Sequence, residues 1–191
     1  LVLVGSAGDS VAGSCHVQPS DSPSIVLAKA HRLQTNPMLA KIQQLSFSQF
    51  EKFGSKVLVE LGAQSVRVTP HSNDQGIDFF GVLSLGQLQA GPAPFFRLAH
   101  DVEIRFAGQA KHYPTNPIST ATIRELVGSV LLARFRTFSD EVDPFEELKL
   151  APLSPLVSIL FTTGRLTSGA VELAAKAGIL ARSGEQLAVF L

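Results

Sequence analysis

The stretch IRFAGQAKHY, residues 104–113, alternates apolar and polar side chains, and its reading decides how the rest of the chain is arranged. Read as a strand that begins just upstream, it places Val102, Ile104, Phe106 and Gly108 on one face and Glu103, Arg105, Ala107, Gln109 and Lys111 on the other. The polar face gathers the charge. Upstream, HSNDQGIDFFG (71–81) reads as a turn entering a second strand near Asp78, and QSVRVTP (64–70) alternates likewise until Pro70 stops it. The two later strands are separated by GQLQAGPAPFFRLAH (86–100), too long for a tight hairpin and carrying Phe95 and Phe96 at its tip.

Helices frame these strands. In LSFSQFEKFGSKVLVELG (45–62), Ser46 and Gln49 stand at capping-box spacing and Leu45 and Phe50 at the spacing of a hydrophobic staple. Phe47, Phe50, Phe53, Val57, Leu58 and Leu61 recur with helical period, and Gly62 ends the helix. ISTATIRELVGSVLLARF (118–135) predicts a helix capped by Ser119 or Thr120, with Gly128 where a sheet can press close. LVSILFTTG (156–164) is the short apolar run of a strand buried on both faces, hence a central one. RLTSGAVELAAKAG (165–178) predicts a helix capped by Thr167 or Ser168, ILARSG a short strand and EQLAVFL a terminal helical turn. The order predicts an α/β domain, a mixed sheet flanked by helices, over 46–191. Residues 1–45, rich in Ser, Gly, Pro and Ala, read as an extension packed on that domain.

Composition narrows the function. A chain of 191 residues, 45% of them hydrophobic, can bury a full core, and no apolar run approaches the ~18 residues of a membrane span. LVLVGSAG at the start has the small residues of a secretion signal but lacks a basic leader, and the absent initiator Met suits a fragment or a processed form. Cys15 has no internal partner, which fits a reducing, cytoplasmic setting and makes it a bystander. The net charge of zero argues against a large anionic partner, but its distribution softens this. Asp140, Glu141, Asp143, Glu146 and Glu147 crowd SDEVDPFEELKLAPLSP (139–155), an insertion with a solvated acidic face, and leave 15 basic against 11 acidic residues elsewhere. That remainder is permissive of phosphate.

Hydrolysis of a phosphodiester needs a divalent cation held by hard oxygens, a positioned water and a cation beside the phosphate. Asp78 at the start of one strand, with Gln109 and Lys111 two apart on its neighbour, can share a face. The Ala110 carbonyl lies between them, and Glu51 on the first helix can approach from the side.

The strings FEKFGSKVLVELG, VRVTPHSNDQGID, GQAKHY, IRELVG and FTTGRLTSGAVELAAKAGI, in this order, resemble the catalytic domain of Mrr-like restriction endonucleases in the PD-(D/E)xK nuclease superfamily. The resemblance implies a restriction-endonuclease-like fold with an αβββαβ core and carries the catalytic positions to Asp78, Gln109 and Lys111, with Glu51 matching the acidic residue of the first helix. Asp74 and Gly76 fill the earlier positions of the same signature, Asp74 as a metal ligand or a turn former and Gly76 for a positive backbone dihedral. It implies Mg2+ or Mn2+ held by Asp78, Gln109, Ala110, Glu51 and Asp74, and DNA as substrate.

His112, Ser119, Thr120 and Arg124 are candidate DNA contacts, beside ordinary roles as a strand end, helix caps and an Arg124–Glu125 ion pair. His71 can line the site mouth, and Arg165 can reach DNA or solvate a loop. The expected function is an Mg2+-dependent DNA endonuclease in defence against foreign or modified DNA. Two alternatives stand beside it. One is a nuclease-fold DNA-binding module that has lost turnover, because Gln109 is neutral; the other is an interaction protein whose Phe95 loop and acidic insertion build a homodimer or larger oligomer.

Overall fold

The computed structural model describes residues 19–33, 35–70, 75–87, 101–137 and 143–190. Cys15, His71, Asp74, Phe95, Phe96, Asp140 and Glu141, to which roles were assigned above, lie outside the described residues.

The capping box forms as its spacing predicts. Ser46 Oγ accepts from Gln49 N at 3.3 Å, Gln49 Oε1 accepts from Ser46 N at 2.8 Å, and helix α3 runs Phe47–Glu60 behind them. Ser46→Ala is expected to cost about 1 kcal/mol of stability, read by chemical denaturation. Two helices precede α3 in the extension, where the sequence reading assigns no elements: α1, Pro23–Leu33, and α2, Thr35–Gln43. Ile42 is buried and Met38 and Leu39 pack with it, so α2 presents a short apolar stripe that the Ser- and Pro-rich composition around it obscures.

Five strands follow in spatial order identical to sequence order: β1, Gln64–Val68; β2, Phe79–Ser84; β3, Glu103–Lys111; β4, Leu156–Thr162; and β5, Leu180–Arg182. The first three form an antiparallel meander, and β4 and β5 add in parallel. The parallel additions require crossovers, supplied by α4, Thr120–Arg134, and α5, Ser168–Lys176, with α6, Gly184–Phe190, closing the chain. This is the expected α/β mixed sheet. Ser119 caps α4 and Thr167 caps α5, which settles both alternatives.

Each face of the sheet has its own core. Phe80, Ala107 and Leu160 pack with Ile123, Leu126 and Val130 of α4 and Ala170 and Ala174 of α5. On the opposite face Phe79, Phe106, Ile159 and Phe161 pack with Phe50, Val57 and Leu58 of α3, Ile42 of α2 and Leu187 of α6. The face of β3 expected to be polar is therefore covered by α4: Ala107 and Gln109 are 0% and 1% exposed. Two further expectations need correction. Phe145, Leu148 and Leu150, inside the acidic insertion, are buried, with Phe145 edge-to-face against Phe80 at 5.9 Å, while Glu146 and Glu147 between them face water. Gly128 meets nothing within 4 Å and presses on no sheet. Among the described residues no helix is long and apolar enough to cross a membrane.

Candidate functional site

The site is built on a notch in the sheet. β2 begins at Phe79, opposite Gly108, so Gln109, Ala110 and Lys111 run past its end. Asp78 stands at that end, its N–H donating to the Gly108 carbonyl at 2.8 Å, which keeps it in register with β3. Directly opposed residues of an antiparallel pair share a face, so Asp78, Gln109 and Lys111 lie together on the face covered by α4. The Asp78 carboxylate closes the open edge: Oδ2 accepts from Ala110 N at 2.7 Å. In an extended strand a residue's carbonyl leaves on the same edge as its N–H, so the Ala110 oxygen also faces the notch.

Gln109 and Lys111 meet α4. Gln109 Nε2 donates to Glu125 Oε1 at 3.3 Å, and Lys111 Nζ lies 3.2 Å from the same oxygen. Lys111 and Glu125 side chains are 21% and 53% exposed, and so exposed a pair contributes under about 1 kcal/mol to stability. Gln109 Oε1, in contrast, is buried without a hydrogen-bond partner among the described residues. An orphaned carbonyl of this kind costs about 1–3 kcal/mol, which a cation or water at the site would offset.

Gly76 approaches from above with φ +84°, the positive dihedral expected of it. A Cβ there would lie 2.3 Å from Ser129 Oγ and 3.7 Å from Gln109 Nε2, so the turn entering β2 is pressed onto α4 over the glutamine. From the other face comes α3. Phe47 and Phe50 contact His112, at ring separations of 5.1 and 6.1 Å, and Gly54 abuts Phe79, so Glu51 sits at the level of the notch. Glu51 is buried, which is unusual for a carboxylate in a helix that otherwise buries only apolar residues and glycine.

The remaining candidates lie elsewhere. His112 meets the α3 aromatics, tilted against Phe47 and edge-on to Phe50, on the face opposite Lys111, with Nε2 buried and without a partner among the described residues. Ser119 Oγ caps α4 through Ala121 N at 3.3 Å, and Thr120 Oγ1 accepts from Arg124 Nη1 at 3.1 Å. The expected Arg124–Glu125 pair is replaced by Lys111–Glu125, because adjacent helical residues point about 100° apart. Arg165 pairs with Glu185 at 3.2 Å. Glu125 is the contact that sequence reasoning missed. Its signal was faint: one acid beside the apolar stripe Ile123, Leu126, Val130, on the helix that follows the lysine strand.

Among the described residues no group of three His, Cys, Asp or Glu is placed to hold a metal ion. The oxygens gathered at the notch are the buried Asp78 carboxylate and the neutral oxygens of Gln109 and Ala110, with the buried Glu51 carboxylate at its level. All are hard oxygens, the chemistry that suits Mg2+ with part of its water shell retained.

The mixed sheet flanked by helices thus brings Asp78 and the Gln109-Ala110-Lys111 run together at one notch. A family model described as restriction endonuclease, Mrr_cat, matches residues 42–137, half of the chain, and the chain belongs to that family of restriction-endonuclease catalytic domains. Among solved structures, MspJI restriction endonuclease in complex with a 27-mer oligonucleotide is similar at 20% identity and a TM-score of 0.47. That likeness covers 97% of this chain and 34% of the MspJI chain, so this chain spans about a third of it. No curated protein matches.

Proposed function

We propose that this chain hydrolyses DNA phosphodiester bonds with Mg2+ or Mn2+, as a restriction or defence endonuclease. The observation that carries the reading is the orphaned Oε1 of Gln109, the residue across from Asp78 at the notch, on a chain of the restriction-endonuclease catalytic family. Asp78, Gln109 and the Ala110 carbonyl would hold the ion, with Glu51 holding water at its side. When bound, the ion supplies positive charge against the phosphoryl oxygens and makes water more acidic. Lys111 orients the attacking water and stabilises negative charge on the phosphate as it develops. The Asp78–Ala110 hydrogen bond keeps β2 and β3 from parting at the notch, so the donors are positioned before substrate arrives. Residues 46–191 form the catalytic unit, and the segment ahead of them supports it through α2.

The second reading, a DNA-binding module without turnover, is favoured by one feature, the neutral amide where a second carboxylate would bind the ion more tightly. Incubating supercoiled plasmid with the chain in Mg2+, Mn2+ or EDTA separates the two. Nicked and linear products with either metal and none in EDTA are expected. Salt-dependent plasmid binding with no product in either metal would establish the second reading instead.

A further inference from the structure

We propose that Glu125 is a positioning residue: through one carboxylate oxygen it fixes the orientation of the Gln109 amide and the place of the Lys111 ammonium. The inference rests on the metal-site reading above and adds a residue that this reading does not use. Its warrant is the chemistry of the amide. A glutamine side chain has one end that donates and one that accepts, and rotation by half a turn exchanges them. An ionised carboxylate only accepts. Glu125 Oε1, 3.3 Å from Gln109 Nε2, therefore admits the NH2 end and excludes the carbonyl end. The carbonyl oxygen is left on the other side, buried and without a hydrogen-bond partner. Gln109 is 1% exposed, and Gly76 lies against the NH2 side, with the site of its missing Cβ 3.7 Å from Nε2.

The same Glu125 oxygen holds Lys111 Nζ at 3.2 Å. Two side chains with separate tasks, one offering an oxygen to the ion and one a charge to the phosphate, are thus indexed to one atom on the crossover helix. The Glu125 carboxylate on α4 thus stands between the amide and the ammonium of β3. Both donors point at Glu125, and the amide's own acceptor, Gln109 Oε1, makes no hydrogen bond among the described residues.

The test measures Mn2+ affinity from the free-ion signal in electron paramagnetic resonance, and single-turnover cleavage of plasmid, on the full chain and four variants. Glu125→Ala is expected to weaken Mn2+ binding about tenfold and to slow cleavage at saturating Mn2+ about a hundredfold, because the amide is free to turn and the lysine to wander. Glu125→Gln, of the same shape, is expected to fall between it and the parent chain, since its own amide can present either end to Gln109. Lys111→Ala is expected to lose cleavage while keeping Mn2+ affinity, which a residue acting only on the lysine would imitate and Glu125→Ala would not. Asp78→Ala serves as the reference. If Glu125→Ala and Glu125→Gln both bind Mn2+ and cleave as the parent does while Asp78→Ala binds none, the positioning role is overturned and the metal site stands. If Asp78→Ala binds Mn2+ as tightly as the parent, the metal site itself is overturned. A fall in thermal stability with unchanged Mn2+ affinity and cleavage would mark Glu125 as merely structural, and overturn the proposal too.

Discussion

Asp78→Asn is expected to fold like the parent chain and to lose about a thousandfold in the rate of DNA cleavage, equivalent to about 4 kcal/mol of transition-state stabilisation. The two effects separate because Asp78 has two tasks. Its Oδ2 accepts from the buried Ala110 N–H at 2.7 Å, and an asparagine oxygen accepts that bond in the same shape. What the amide lacks is the negative charge, and no other carboxylate among the described residues joins Asp78 in a group of three ligands that could compensate. Asp78→Ala, in contrast, also orphans the Ala110 N–H and should cost about 1–3 kcal/mol of stability besides. Single-turnover plasmid cleavage paired with thermal melting distinguishes the two. An asparagine variant that cleaves within tenfold of the parent would remove Asp78 from the chemistry.

The largest structural effect is expected at Gly108. A Cβ there would lie 2.2 Å from both Cε2 and Cζ of Phe79, far inside van der Waals contact. The ring has nowhere to go. On its other side Gly54 of α3 leaves room for it only by lacking a side chain, a Cβ at that position falling 2.5 Å from Cε1, and Phe161 stacks on it at 5.7 Å. Overpacking against so confined a ring costs about 3 kcal/mol, and in a chain of this size that lowers the melting temperature by about 6–12 °C. Gly108→Ala should show that drop in calorimetry, and Phe79→Leu in the same chain should restore most of it. Because Gly108 precedes Gln109 and Phe79 follows Asp78, any strain the backbone absorbs moves the two proposed ligands. Cleavage should therefore fall more steeply than stability.

Alternation along residues 104–113 was enough to bring Gln109 and Lys111 to one face, and the opposed start of β2 was enough to bring Asp78 beside them. These relations follow from strand geometry and need no knowledge of what packs above. What packs above was not legible. A strand with Arg105, Gln109 and Lys111 on one face reads as half-solvated, yet α4 covers that face, because the crossover from β3 to its parallel neighbour β4 lays that helix over it. Gln109 is tolerated there by its bond to Glu125, a pairing between elements that no local pattern announces. Composition misled over the acidic insertion, from within which Phe145, Leu148 and Leu150 fill the core. Ahead of the domain, Met38, Leu39 and Ile42 join the core from within a Ser- and Pro-rich extension. In each case a few apolar side chains at the right spacing outweigh the average of their neighbours.

The notch also has a consequence for the order in which the molecule comes together. Asp78 and Ala110 are separated by 32 positions, Gln109 and Glu125 by 16, and Lys111 and Glu125 by 14. Each doubling of a closed loop adds only about 0.6 kcal/mol of entropy cost, and the short separations are the cheapest to close. Every contact in this group is made within residues 78–125, so none of them waits for β4, β5 or the last two helices. On these separations the meander and α4 are expected to find their register first, with β4 and β5 added later as a brace.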